Sequence, residues 1–213
     1  SIDQIVSYVD KARRYPNVRQ VNIHFAPKRW MEETQVRGRE GDYARLIDGV
    51  REIAAFAALH GIEIVLENGT ARWTGVADDV LADQVDWTNR NRYFGMPPEE
   101  WVQVCVDVDR PNVGLCLDSS HACTYAQTVA GHGERVKTVM AYLSRPDLIR
   151  HVHWSDNYLF DPRGRNDSHL IVGKGSLPIE MHWAIKGLDA TLLLEHFYSI
   201  EELEEELQFI DAL

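Results

Sequence analysis

Five apolar runs each end, within a few residues of their C-terminal edge, in a side chain that can ligate a metal. They are VNIHF with His24, IEIVLEN with Glu67, VGLCLDSSH with Asp118 and His121, HVHWSD with His153, and LLLEH with Glu195. Glu67, Asp118, His153 and Glu195 together supply carboxylates and an imidazole, a mixed oxygen and nitrogen set. Such a set suits a hard or borderline divalent ion: Mn²⁺, Mg²⁺, Co²⁺ or Zn²⁺. Without a cation, converging carboxylates repel one another and raise each other's pKa values. His24, His121 and the Asp167-Ser168-His169 tripeptide supply further donors, for a second metal or for substrate.

Each residue alone also has an ordinary reading. A carboxylate at a strand end caps the following helix as readily as it binds an ion, and both readings stand for Glu67 and Asp118. His24 alone reads as a hydrogen-bonded core or edge histidine. His151 is expected on the sheet face opposite His153, in a structural role, and His196 beside Glu195 is read the same way. Trp30, Trp73, Trp87 and Trp154 lie in or next to strand-end loops, where an aromatic face can stack on a sugar or simply bury loop surface. Trp30 and Trp154 are the candidates for substrate contact. Arg163 and Arg165, with Lys174 between Gly173 and Gly175, form a basic loop that either holds a phosphate or is solvated. The Gly-Lys-Gly triplet is not a phosphate-cradling P-loop, since the rest of that motif is absent.

The elements that position these groups alternate. Ile2, Ile5, Val6 and Val9 share one side of an opening amphipathic helix. A strand over 19–25 precedes a polar loop over 26–42, then a helix over 43–59 that ends at His60-Gly61, a helix-stop signal. A strand over 62–68 leads into a long irregular connection and a helix over 97–108 that starts on Pro-Pro. Strands at 113–118, at the run ending in His153 and at the run ending in Glu195 follow, with helices over 129–143, 179–187 and 200–213. Helix and strand in alternation specify a parallel sheet with right-handed crossovers. Its strands are continuously apolar, as when both faces are buried. Loops at the C-terminal ends of such strands face a common cleft.

Length and composition fit this frame. The 213 residues, 45% hydrophobic and 26% charged, are read as one domain spanning 1–213. A net charge of −11 opposes a surface built to hold long stretches of phosphate backbone. No apolar run approaches the length of a membrane span. The three cysteines make no disulfide framework, and reduced thiols in a cytoplasmic protein are the expectation.

The order His24, Glu67, Asp118-x-x-His121, His153-x-x-Asp156, Asp167-x-His169 before Gly173 and Gly175, then Glu195, resembles the xylose isomerase-like barrel superfamily. That group includes sugar isomerases and epimerases and also endonuclease IV-type DNA repair enzymes. The resemblance implies an α/β fold, the (β/α)8 TIM barrel, with a divalent metal at its C-terminal mouth. A closed barrel of this kind needs about 250 residues, so the chain is expected to lack the first strands, about three of eight. In the epimerase branch the residues matching Glu67, Asp118, His153 and Glu195 hold the metal, and the two glutamates move protons. In the endonuclease branch three zinc ions are held, with residues matching His24, His121, Asp167 and His169 joining in. The resemblance therefore implies a metal-dependent isomerase or epimerase of a sugar or sugar phosphate. A zinc-dependent abasic-site endonuclease is the first alternative, with Lys28, Arg29, Arg37 and Arg39 as its best phosphate contacts. A non-catalytic metal- or carbohydrate-binding barrel is the second. The expected partner is a small sugar, with self-association left open.

Overall fold

The computed structural model describes residues 2–25, 29–32, 35–40, 43–87, 93–196 and 199–213, and for 29–32 and 35–40 it describes the strands without their side chains. Lys28 lies outside the described residues, as do the side chains of Trp30, Arg29, Arg37 and Arg39. Helix α1 (Ile2–Ala12) buries Val9. Strand β1 (Gln20–His24) is followed by a hairpin of β2 (Arg29–Glu32) and β3 (Gln35–Glu40), where the sequence suggested only a polar loop. Then come α2 (Tyr43–Ala58), β4 (Glu63–Glu67), α3 (Pro98–Val108), β5 (Val113–Asp118) and α4 (Ser119–Ala126). The chain continues through α5 (His132–Ala141), β6 (Ile149–His153), α6 (Ile179–Lys186), β7 (Thr191–Leu193) and α7 (Ile200–Ala212).

The main sheet has the order β1-β4-β5-β6-β7 and every pairing in it is parallel. Apart from the hairpin, neighbours in the sheet are consecutive along the chain, and the order never reverses. A doubly wound open sheet reverses its order at a switch point. Unidirectional progression belongs to a barrel, and the five parallel strands with their helices make a partial TIM barrel. Ile64, Val65, Leu66, Leu115, Cys116, Leu117 and Val152 are all buried, so β4, β5 and β6 are covered on both faces as their apolar runs require. Gly61 takes a left-handed φ of 65° just after α2, the conformation that ends a helix without a Cβ clash.

Two expectations change. Helix α4 was not legible because seven of its eight residues are buried, so it shows no polar stripe at helical spacing. The rings of His151 and His153 lie 5.1 Å apart and share a face. Side chains alternate along a strand, so residues two apart point the same way, and the expectation of opposite faces was wrong.

Candidate metal centre at the strand tips

Side-chain ties hold the strand tips together. The Asn68 side chain accepts from the Asp118 N–H at 2.6 Å and donates to the Asp118 carbonyl at 3.0 Å. This closed amide pair fixes the end of β4 against the end of β5 and so sets Glu67 beside Asp118. Ser119 Oγ donates to the Ser155 carbonyl at 2.7 Å and accepts from the Ser155 N–H at 2.9 Å, fixing β5 against β6 in the same way. Asn68 and Ser119 carry no sequence signal of their own. They sit next to Glu67 and Asp118, and a polar residue beside a candidate ligand is where a positioning bond is to be sought.

Glu67, Asp118 and His153 each offer one ligand atom within 4.8 Å of the others. His153 Nδ1 is 3.6 Å from Glu67 Oε1 and 3.6 Å from Asp118 Oδ2. Glu195 enters from the side, with Oε2 2.7 Å from the same nitrogen. Glu67 is 3% exposed, whereas the Glu195 side chain is 46% exposed. The other Glu67 oxygen accepts from the Asn22 side chain and lies 3.1 Å from His24 Nε2. Asn22 was missed in the sequence because it lies on β1 inside an apolar run.

Asp118 divides its two oxygens. Oδ1 accepts from the His121 N–H at 2.8 Å, capping α4, so the ordinary reading of this carboxylate holds for one atom. Oδ2 is buried with no hydrogen-bond partner, and His153 Nδ1 is likewise without one despite its short contacts. Buried polar atoms are nearly always satisfied, and an unsatisfied carboxylate oxygen beside an imidazole and two further carboxylates suits a shared cation.

A second group follows. Asp118, His121, Asp167 and His169 also bring ligand atoms within 4.8 Å of one another. The Nδ1–H of His121 donates to the Asn68 carbonyl at 2.8 Å, which directs Nε2 to Asp167 Oδ2 at 2.9 Å. His169 has a left-handed φ of 41°, and its Nδ1–H donates to the Glu195 carbonyl at 2.9 Å while Nε2 lies 3.0 Å from Asp167 Oδ1. Non-glycine residues seldom adopt this conformation, and here it aims one ring at two site residues. A third group joins Cys116, His151 and His153.

The field at the site is strongly negative. Burial opposes a charge on His153, but Asp118, Cys116 and Glu67 outweigh it and push the imidazole up to about 12. Burial likewise opposes a charge on His121, yet Asp118 and Asp167 push it up to about 10. The hydrogen bond to Asp167 raises His169 to about 9 against burial. Burial raises Glu67 and Asp167, but the imidazoles bound to each hold both well below the usual carboxylate range. The cluster keeps its carboxylates ionised and collects positive charge, which is the electrostatic character of a cation site.

The family described as "Xylose isomerase-like TIM barrel" matches residues 1–213. The chain belongs to that family. Among solved structures it is similar to a D-tagatose 3-epimerase-like protein, at 21% identity and a TM-score of 0.62, covering 99% of this chain and 70% of that one. It is similar to D-psicose 3-epimerase from Clostridium cellulolyticum H10, solved with D-tagatose, at 15% identity and a TM-score of 0.59, over 99% of this chain and 68% of that one. A xylose isomerase-like TIM barrel protein from Mycobacterium smegmatis, in complex with magnesium, matches at 20% identity and a TM-score of 0.59, over 99% of this chain and 67% of that one. At these identities the likeness is one of fold. An uncharacterized protein of Methanocaldococcus jannaschii is 28% identical over 148 residues, which are 68% of this chain and 40% of that protein. The chain thus spans well under half of that relative.

In this xylose isomerase-like barrel the remaining candidates fall elsewhere. Trp154 is 1% exposed and its Nε1–H donates to His182 Nδ1 at 3.0 Å, so its ring belongs to the core and is not presented to a ligand. Arg165 is 8% exposed, donates to the carbonyls of Ala77, Asp78 and Val80, and stacks 4.2 Å from the Trp73 ring centroid. It staples a loop at the edge of a cleft that it lines together with Trp73 and Asp167. Arg163 pairs with Asp161 at 2.9 Å and Lys174 with Glu205 at 2.8 Å, so the basic loop is largely self-neutralised. Asp156 is buried and accepts from the N–H groups of Asn157, Gly173 and Leu177, and a Cβ on Gly175 would sit 2.3 Å from its Oδ1. The Gly-x-Gly element therefore wraps a buried carboxylate.

A polar cleft of about 430 Å³ adjoins Asp167, lined among others by Thr70, Arg72, Trp73, Asp78 and Asn166. A larger cavity, about 540 Å³, lies where the strands begin, beside Gln20, Glu63, Arg150 and Thr191. Barrel chemistry sits at the C-terminal ends of the strands, which gives the smaller cleft the functional interest. No helix among the described residues is long and apolar enough to cross a membrane.

Proposed function

We propose that the chain is a divalent-metal-dependent isomerase or epimerase of a sugar or sugar phosphate, with Glu67, Asp118, His153 and Glu195 holding the ion and Mn²⁺, Mg²⁺, Co²⁺ or Zn²⁺ as its candidates. The observation that carries this reading is Asp118 Oδ2, buried without a hydrogen-bond partner, within reach of ligand atoms of Glu67 and His153. The donor set fits such an ion in chemistry and number. When bound, the ion supplies Lewis acidity that acidifies the C–H next to a sugar carbonyl.

The chain's own groups then divide the proton work. Glu67 is buried at the strand tip beside Asp118 and His153 and takes the role of the base that removes the proton from carbon. Glu195 is exposed enough to exchange with solvent and suits the return of a proton to that carbon from the other side, which inverts it. Reversing the two roles runs the reaction backwards. The His24 side chain, 73% exposed and 3.1 Å from Glu67, gives the buried carboxylate a proton route to water. The fold likeness to sugar 3-epimerases supports a sugar as the partner.

The second ligand group supports a second reading, an endonuclease IV-like centre of several zinc ions, because Asp118, His121, Asp167 and His169 are all in reach of one another. The net charge of −11 and the paired cations of the basic loop weigh against a DNA surface.

The test is proton exchange. Ketoses incubated with metal-loaded protein in D2O are expected to take up deuterium at the carbon beside the carbonyl, read by NMR. Glu195→Gln should abolish inversion at that carbon while the sugar still binds. Sugar binding without uptake in the wild type would leave a non-catalytic barrel, and cleavage of abasic DNA would establish the zinc reading.

A further inference from the structure

The third ligand group has no place in the reaction above. Glu67 on β4, Cys116 on β5, His151 on β6 and Thr191 on β7 are register partners, one rung across four strands. Asp118 and His153 pair on the next rung. Cys116 therefore lies directly beneath Asp118, and His151 beneath His153, on the same face. Ligand atoms of Cys116, His151 and His153 come within 4.8 Å of one another. The His151 Nδ1–H donates to the Thr191 carbonyl at 3.1 Å, and Nδ1 lies 2.6 Å from Thr191 Oγ1. That bond fixes the tautomer and leaves Nε2 as the basic nitrogen, as outer-shell partners do for metal-binding histidines. A thiol and two imidazoles form a softer set than the carboxylate-rich group above it.

We propose that Cys116, His151 and His153 form a separate site for a thiophilic divalent ion, Zn²⁺ or softer, below Asp118 and sharing His153 with the hard-ion group. Three protein ligands leave a fourth position for water, a common zinc arrangement. As the metal–sulfur bond forms, the Cys116 thiol releases its proton to solvent, and nothing is oxidised or reduced. Because His153 belongs to both groups, filling the lower site withdraws a ligand from the upper one, so a thiophilic ion acts as an inhibitor. The competition, though not the site itself, rests on the hard-ion reading above.

Cd²⁺ titrated into Mn²⁺-loaded protein tests both parts. Thiolate-to-cadmium ultraviolet absorption is expected to grow as free Mn²⁺ appears in the electron paramagnetic resonance spectrum. Cys116→Ser and, independently, His151→Gln should remove the absorption while leaving the circular dichroism of the fold unchanged. Cys105 and Cys123 belong to none of the ligand groups among the described residues, so they should not restore it. Absorption that survives in Glu67→Ala would show a site independent of the hard-ion set. A wild type that takes up none of Mn²⁺, Mg²⁺ and Co²⁺ but shows the Cys116-dependent band would retain this site and overturn the hard-ion reading. Absence of the band in wild type, or its persistence in both lower-site variants, would overturn the site. A band that appears with Mn²⁺ retained would overturn the competition.

Discussion

Asp118 Oδ2 lies 3.6 Å from His153 Nδ1, and neither buried atom has a hydrogen-bond partner. Leaving a buried polar atom unsatisfied costs about 1–3 kcal/mol, and a cation between the two removes that cost while offsetting the charge of Glu67. The other oxygen of Asp118 caps α4 through the His121 N–H, so one side chain serves both fold and site. Substitution separates the two duties.

Asp118→Asn keeps an N-cap acceptor of equal quality, so the metal-free protein should melt near the wild-type temperature. Its ion affinity should fall by more than the roughly 10–100-fold typical of an outer-shell change. Asp118→Ala should lose the ion and also about 1 kcal/mol of stability. Calorimetric titration with Mn²⁺ and thermal melts of the stripped proteins read the two effects separately.

Asn22 touches Glu67 from β1 and orients it without being a ligand itself. Asn22→Ala should weaken ion binding about 10–100-fold. Wild-type affinity in this variant, by the same titration, would mean that Glu67 is oriented by its other neighbours.

Arg165 distinguishes a staple from a phosphate contact. Arg165→Ala leaves the carbonyls of Asp78 and Val80 without this donor, while the Ala77 carbonyl keeps the Val80 N–H, and should lower stability by about 2 kcal/mol. Arg165→Lys should not restore it, since one ammonium does not reproduce the spread of a guanidinium. Chemical denaturation checks this, and a phosphate contact would instead appear as weaker sugar-phosphate binding at unchanged stability.

The cysteines give a pH signature. Burial pushes Cys105 up to about 11, and Cys116 as well. Unfolded thiols ionise near about 8.5, so between that pH and about 11 the native state holds protons that the unfolded chain has lost. Stability should therefore fall as pH rises through this window. At pH 8 a thiol reagent should titrate the three buried cysteines only on unfolding, followed by absorbance with and without urea.

The barrel and the strand-tip cluster were legible because continuous apolar runs ending in Glu67, Asp118 and His153 carry both signals at once. The positioning residues were not. Asn22, Asn68 and Ser119 act through register, which exists only once neighbouring strands are paired. Trp154 shows the converse, and Arg165 does in part. Aromatic and basic types in a strand-end loop look available, but burial follows from what packs around them, here His182 and the carbonyls of the 77–80 segment. Helix α4 escaped because a helix buried all round has no amphipathic pattern to read.

The central claim is that Glu67, Asp118, His153 and Glu195 hold one divalent ion. The most direct test is metal content per chain, measured by plasma mass spectrometry after purification without chelator, then repeated on stripped protein rescued metal by metal. The account predicts about one Mn²⁺, Mg²⁺, Co²⁺ or Zn²⁺ per chain, lost in Glu67→Ala and in His153→Ala. A stripped wild type that recovers none of these ions, or a His153→Ala chain that holds them equally well, would contradict it.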